Sequence, residues 1–556
     1  MEKSSLDQTT AFSFTIEQNK MARDNEGYQK TMRRYVSWLF LLMTGAAYAD
    51  WPYWPKYSKT SLADTRPQQW RSQDDVIEGW DWSLPPNVKP AANGFMAIKR
   101  TSSLDRSLTE FLEPLDLPIN PIVTLWIRWA ELEPVEGNYK FDVLRKRFAE
   151  AETKGYGVVL RMLCSATSFA PQWIDKYDIP IRRENKPAKV KNYDISNSAY
   201  HLRYIRLVKA LGESGIPKLT TLKGAFVGYA SPSHGDEGIG PDGVDPDTVP
   251  HVVERLDAWA QAFKDVEHKV FMGGVSKHGL DLGFGIRRGF VEMYLYHIPD
   301  DEIGQRVDQN GYLRVDESAE IIRRNVWHGE ENEEYDEKWA DRFGTIDSFT
   351  YRYFTSNLRL LQMRCSYVLY SPFSIIPEQI VWVGQSLGRT VEDAPDIWCA
   401  LRESYVRGVG PVKNFERWLY QRDSQGFETV PAVKINHPIQ MWMVEPGKYY
   451  DCIARQGKQI GLAVDDRWCG GGPVSVAVKV TYFDIGRGTV DMDLQTAQGN
   501  SKRTIKLTGT GEVKTATFFV NDAVFSARGM DYDIIFRCAE ANAALSFVRV
   551  IRLKQQ

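Results

Sequence analysis

The chain has 556 residues, 69 Lys and Arg against 72 Asp and Glu, and a formal net charge of -3. That balance lacks the basic surplus of a nucleic-acid binder, and 43% hydrophobic with 25% charged residues excludes disordered and fibrous classes. Aromatic residues make up 12% of the chain, and their flat apolar faces suit both a large core and stacking on sugar rings.

The basic group Met32, Arg33 and Arg34 precedes an apolar run that ends in Ala47, Tyr48 and Ala49, a small-x-small pattern. The run is shorter than the ~20 residues that cross a bilayer. Residues 1–49 are therefore expected to be an N-terminal extension and a signal peptide cut near Ala49, with a mature chain that is secreted or periplasmic. No later segment reads as a membrane span. Export permits disulfides. Cys164, Cys365 and Cys399 lie in apolar or helical surroundings and read as buried free thiols, whereas Cys452, Cys469 and Cys538 leave room for one bridge.

From Asp74 to Asn436 short apolar runs alternate with amphipathic helical stretches, the grammar of βα units around a parallel sheet. The candidate strands are Val76–Trp82, Ile122–Trp129, Gly157–Leu163, Gly224–Ala230, Lys269–Val275, Leu282–Arg287, Asn325–Gly329 and Ser366–Ser371. The expected fold class is α/β, a (β/α)8 TIM barrel over 50–430. After Pro431 the period changes to two: Val474, Val476, Val478, Val480 and Tyr482 alternate, and similar runs follow at Thr515–Val520, Tyr532–Cys538 and Leu545–Leu553. Short strands without helices between them predict a C-terminal all-β sandwich over 431–556, either a carbohydrate-binding module or a cap on the barrel's flank.

The active site of such a barrel lies at the carboxyl ends of its strands. Trp80 and Asp81 close the first predicted strand, and Trp126 and Arg128 the second. Trp173 follows the third, His234, Asp236 and Glu237 follow the fourth, and Trp327, His328, Glu330, Glu331 and Glu333 lie at the seventh. The tryptophans are candidate sugar platforms. Arg128 needs an anion, either a neighbouring carboxylate or a charged group on the substrate.

The run from Trp129 through Glu131, Glu133, Pro134, Glu136, Gly137, Tyr139 and Phe141 to Asp142 resembles the signature that follows the second strand in clan A glycoside hydrolases, especially the family 42 β-galactosidases. Pro171, Gln172 and Trp173 are similar to the clan's third-strand segment. The long barrel with a terminal sandwich also looks like the family 167 marine carrageenases. The resemblance implies a general acid/base after strand four, at Glu237, and a nucleophile at the end of strand seven, at Glu330 or Glu331. Asp236 stands where the clan has Asn.

Glycosidic cleavage independently asks for such a pair. One carboxylic acid protonates the leaving oxygen while one carboxylate meets the cationic anomeric carbon, about 5–5.5 Å away in retaining enzymes. The expectation is a secreted retaining hydrolase of β-galactosidic linkages in a polysaccharide, such as the sulfated galactan carrageenan. A catalytically inactive carbohydrate-binding protein and a hydrolase of a different β-glycan stand as alternatives. No metal-ligand spacing, phosphate-binding loop, dinucleotide fingerprint or serine-nucleophile elbow is present, so neither metal nor cofactor is expected.

Overall fold

The computed structural model describes residues 70–554 apart from 72, 85–93, 116, 183–190, 228–238, 240–243, 291–304, 333–348, 371–375, 407–408, 437–449, 470, 526–531 and 539–542. The predicted signal peptide therefore lies outside the described residues.

Eight parallel strands close a barrel in chain order: Phe95–Thr101, Pro121–Arg128, Gly157–Leu163, Leu222–Phe226, Val270–Gly273, Gly285–Phe290, His328–Asn332 and Tyr367–Tyr370. Helices follow most of them on the outside. In Phe141–Thr153 the buried residues Phe141, Leu144, Phe148 and Ala151 fall on one helical face. Helix Ser198–Glu213 starts where the Asn197 side chain accepts from the Ala199 and Tyr200 amides.

Seven of the eight strands overlap the predicted runs, although the seventh begins three residues later than expected and shares only His328 and Gly329 with its run. The first does not. Asp75–Glu78, inside the run expected to open the barrel, pairs antiparallel with Val513–Ala523 in the all-β region. Its exposed pattern suits an edge strand rather than one covered on both faces. The true first strand is Phe95–Thr101, in which Lys99 and Arg100 interrupt the apolar run.

Aromatic rings fill the barrel interior, where branched aliphatics are commoner. Phe95 stacks on Tyr367 at 5.0 Å, and Tyr367 on Phe271 at 4.7 Å. Glycines on the neighbouring strands make the room. A Cβ at Gly224 would lie 2.0 Å from the Phe271 ring, and one at Gly329 would lie 2.5 Å from Tyr367.

The antiparallel region begins at Asp396–Val406, not at 431, because that strand and Gly410–Arg417 already belong to it. Charged residues hid the strand from a periodicity reading. They are neutralised by ion pairs inside the sheet: Arg549 to Asp396 at 2.6 Å, Arg402 to Asp451 at 3.1 Å and Arg455 to Glu403 at 3.3 Å. The predicted runs appear as Val474–Phe483, Val513–Ala523, Ile534–Cys538 and Ala543–Arg552. Val476, Val478, Val480 and Tyr482 share one core with Ile460, Met492, Phe518, Phe536 and Val548. All six cysteines are free thiols. No helix among the described residues is long and apolar enough to cross a membrane.

Candidate active site

Glu330 and Glu331 are the only acids in the eight barrel strands. Successive residues of a strand point to opposite faces, so only one can enter the barrel. Glu331 pairs in register with Leu369, and Glu330 with Val368. Tyr367 and Leu369 belong to the interior cluster, so Glu331 faces in and Glu330 faces the helical layer. Asn332, on the same face as Glu330, confirms the phase, since its amide donates to Asn357 of helix Phe349–Gln362.

Inside the mouth, Glu331 meets two cations. Its Oε1 lies 3.2 Å from Arg161 of the third strand, and its Oε2 lies 2.6 Å from Arg287 of the sixth. All three side chains are buried, and two guanidiniums fork one carboxylate and fix its orientation. Arg161 also lies 4.2 Å from the centre of the Trp126 ring, and Arg100 lies 4.7 Å from it. These groups surround a cavity of about 30 Å³ lined also by Lys99, Thr124, Phe226 and Tyr370. It has room for a water molecule, not for a sugar ring. It forms the floor of the mouth.

Trp126 is thus at the mouth with its ring taken up by guanidiniums. Arg128 is at the rim, where Glu131 accepts from both its backbone N–H and its Nε at 3.0 Å and raises its pKa. Its anionic partner is a neighbouring carboxylate. Trp173 packs edge-on against Trp129 at 5.8 Å and donates to the Glu133 carbonyl at 2.8 Å, which makes it part of the wall.

The remaining expected residues are elsewhere. Because the first strand was misplaced, Trp80 and Asp81 lie between barrel and sandwich, not at the mouth. Trp80 packs on Phe354 at 4.6 Å, and Asp81 binds Lys479 at 2.7 Å and Ser83 at 2.6 Å. Burial pushes the Lys479 ammonium down to about 7 despite Asp81 beside it. Trp327 precedes the seventh strand and so lies at the amino-terminal end of the barrel, where its carbonyl accepts from the Ile286 amide. The ring nitrogens of His328 lie 2.7 Å and 3.0 Å from the carbonyls of Met363 and Val326, behind the strand. His234, Glu237 and Glu333 lie outside the described residues.

The acids of the second-strand signature do architectural work. Glu133, fully buried, accepts from the Trp129 indole and the Gly137 amide at 2.7 Å each and from Arg206 at 3.2 Å. Glu136 binds Lys176, Tyr177 and Arg206, which hold its carboxyl down at about 2. Sequence reasoning missed Arg100, Arg161 and Arg287. The available signal was a charge inside an otherwise apolar barrel strand, as in Gly157–Leu163.

Residues 118–214 match the family model described as β-galactosidase, glycoside hydrolase family 42. That segment contains the second and third strands, and neither Glu237 nor Glu331 falls inside it. No curated protein matches the chain. Among solved structures, an exo-β-1,4-mannosidase from Opitutaceae bacterium strain TAV5 is similar at 11% identity and a TM-score of 0.30, over 52% of this chain and 54% of that one. A family 30 endoxylanase from Clostridium papyrosolvens C71 aligns over 84% of this chain and 98% of its own, at 10% identity and a TM-score of 0.35. A β-galactosidase from the psychrophilic Marinomonas ef1 covers 52% and 59%, at 11% identity and a TM-score of 0.32. This chain spans little more than half the length of the mannosidase and the galactosidase. It is glycoside-hydrolase-like: a TIM barrel carrying a β-galactosidase-family segment.

Proposed function

We propose that the protein is an exported, retaining glycoside hydrolase that cleaves β-galactosidic bonds in an anionic galactan such as carrageenan. The observation that carries this reading is the phase of the seventh strand, which turns one acid of that strand, Glu331, into the mouth. Glu331 is the nucleophile that attacks the anomeric carbon, and Arg161 and Arg287 aim it. Glu237, which follows the fourth strand in the sequence, is the acid/base that protonates the leaving oxygen and then takes a proton from the incoming water. Arg100, Arg161 and Arg287 outnumber Glu331 among the described residues at the floor of the mouth, and this surplus favours a substrate bearing sulfate or carboxylate groups.

The test incubates the protein with sulfated and neutral galactans and measures new reducing ends, in the wild type and in Glu331→Gln and Glu237→Gln. Each variant is expected to lose about 10²–10⁴-fold in rate. Wild-type rates in both variants would refute the assignment. Binding to a galactan without any new reducing ends would favour a carbohydrate-binding protein instead, a reading that the double ion pairing of Glu331 also fits.

A further inference from the structure

The barrel has a second concavity at the end opposite its mouth. This cavity of about 530 Å³ is framed by the amino-terminal ends of strands one to five and by Trp327. Its volume is within the range of about 300–1,000 Å³ typical of small-molecule sites. We propose that it binds an anionic saccharide unit, with the Trp327 indole as the ring platform and Lys223, His268 and Lys269 as the anion receptors.

Two features of its wall point that way. The apolar side is Trp327, half-buried and tilted 32° against Phe95 at 5.8 Å, which fixes the indole in place. A pyranose ring stacks on such a surface through its axial C–H groups. The polar side is cationic, with Glu152 the one acid among the lining residues. Lys269 donates to the carbonyls of Leu219 at 2.9 Å and Pro217 at 3.2 Å, so its ammonium is pinned at the wall. Burial and the nearby ammoniums of Lys223 and Lys218 pull its pKa down, and burial and Lys269 pull down that of His268. The Lys223 side chain makes no hydrogen bond or ion pair with a described residue. Like charges held together beside an aromatic face are relieved by a ligand carrying sulfate or carboxylate.

The choice of a sulfated sugar as probe rests on the function proposed above; the cavity's charge and its indole do not. Galactose 4-sulfate, galactose and sodium sulfate are titrated separately into the full chain by calorimetry, with hydrolysis of a galactan followed in parallel. Galactose 4-sulfate is expected to bind wild type, and Lys223→Glu to weaken that binding at least about ten-fold while leaving hydrolysis unchanged. Trp327→Phe, which keeps a ring at the site, is expected to weaken it by less. Undiminished binding in Lys223→Glu, or equal affinity for sodium sulfate, would overturn the proposal. So would the absence of any binding by wild type. Failure of the proposed hydrolysis shows in the parallel assay and leaves this binding result standing.

Discussion

Glu330 and Glu331 are adjacent in one barrel strand and face opposite ways, Glu331 toward Arg161 and Arg287 and Glu330 toward the helices. Exchanging each for Gln separates chemistry from packing. Glu331→Gln is expected to fold and to lose at least about 10²-fold in kcat/KM, whereas Glu330→Gln keeps activity per folded molecule and loses about 1–3 kcal/mol of stability. Steady-state kinetics and denaturant titration on both variants check this.

Arg100 lies over Trp126 at the floor of the mouth, next to the Glu331 ion pairs but outside them. Arg100→Gln is expected to raise KM for a sulfated galactan about ten-fold and to leave KM for a desulfated one unchanged. A uniform rise on both substrates would mean that the arginine only supports the indole.

The aromatic interior demands glycine beside the Phe271 and Tyr367 rings. Gly329→Ala would bring a methyl group to 2.5 Å from both the Tyr367 ring and the Tyr367 carbonyl oxygen. Overpacking of this kind costs about 1–3 kcal/mol. The melting temperature should fall, and Tyr367→Leu should partly restore it by removing the opposing ring.

Lys479, pushed by burial to about 7 beside Asp81, titrates well below its unfolded value of 10.5. Between those values the unfolded chain binds the extra proton, so stability rises with pH across this window and is lost again as pH falls to about 7. The wild-type denaturant midpoint is expected to climb from about pH 7.5 to about pH 9.5. In Lys479→Met the climb should be absent.

Glu133 holds the Trp129 indole, the Gly137 amide and Arg206 from complete burial. Glu133→Ala leaves those donors unanswered and should cost about 3 kcal/mol. The same variant, assayed below its unfolding transition, should keep its KM. An acid of the family signature would thereby be assigned to architecture rather than to catalysis.

Most of the barrel strands and the four predicted sandwich runs were legible because they contain or adjoin a short apolar stretch or a clean alternation, whereas His328–Asn332 carries no apolar residue and was found only through the residues before it. Phe95–Thr101 was not, since two cations end it, and Asp396–Val406 was not, since its charges are cancelled only by partners such as Arg549 that are remote in sequence. The mistaken first strand carried Trp80 and Asp81 with it. The mouth was legible to the level of "an acid on strand seven". Choosing between Glu330 and Glu331 needed the register against Leu369, because a one-residue change of phase reverses every side chain. A basic residue within a barrel strand was a signal within reach, and it would have singled out Arg161.

The edge strand Asp75–Glu78 waits for a partner that is made much later: Thr515 donates to the Gly79 carbonyl across 436 positions of chain. During synthesis the front of the barrel region therefore stays unfastened until the strand Val513–Ala523 has left the ribosome. Cutting the gene before the sandwich would strip the cover from Trp80 and remove Lys479 from Asp81. A barrel expressed by itself should accordingly aggregate, and co-expressing the missing portion in trans should rescue it.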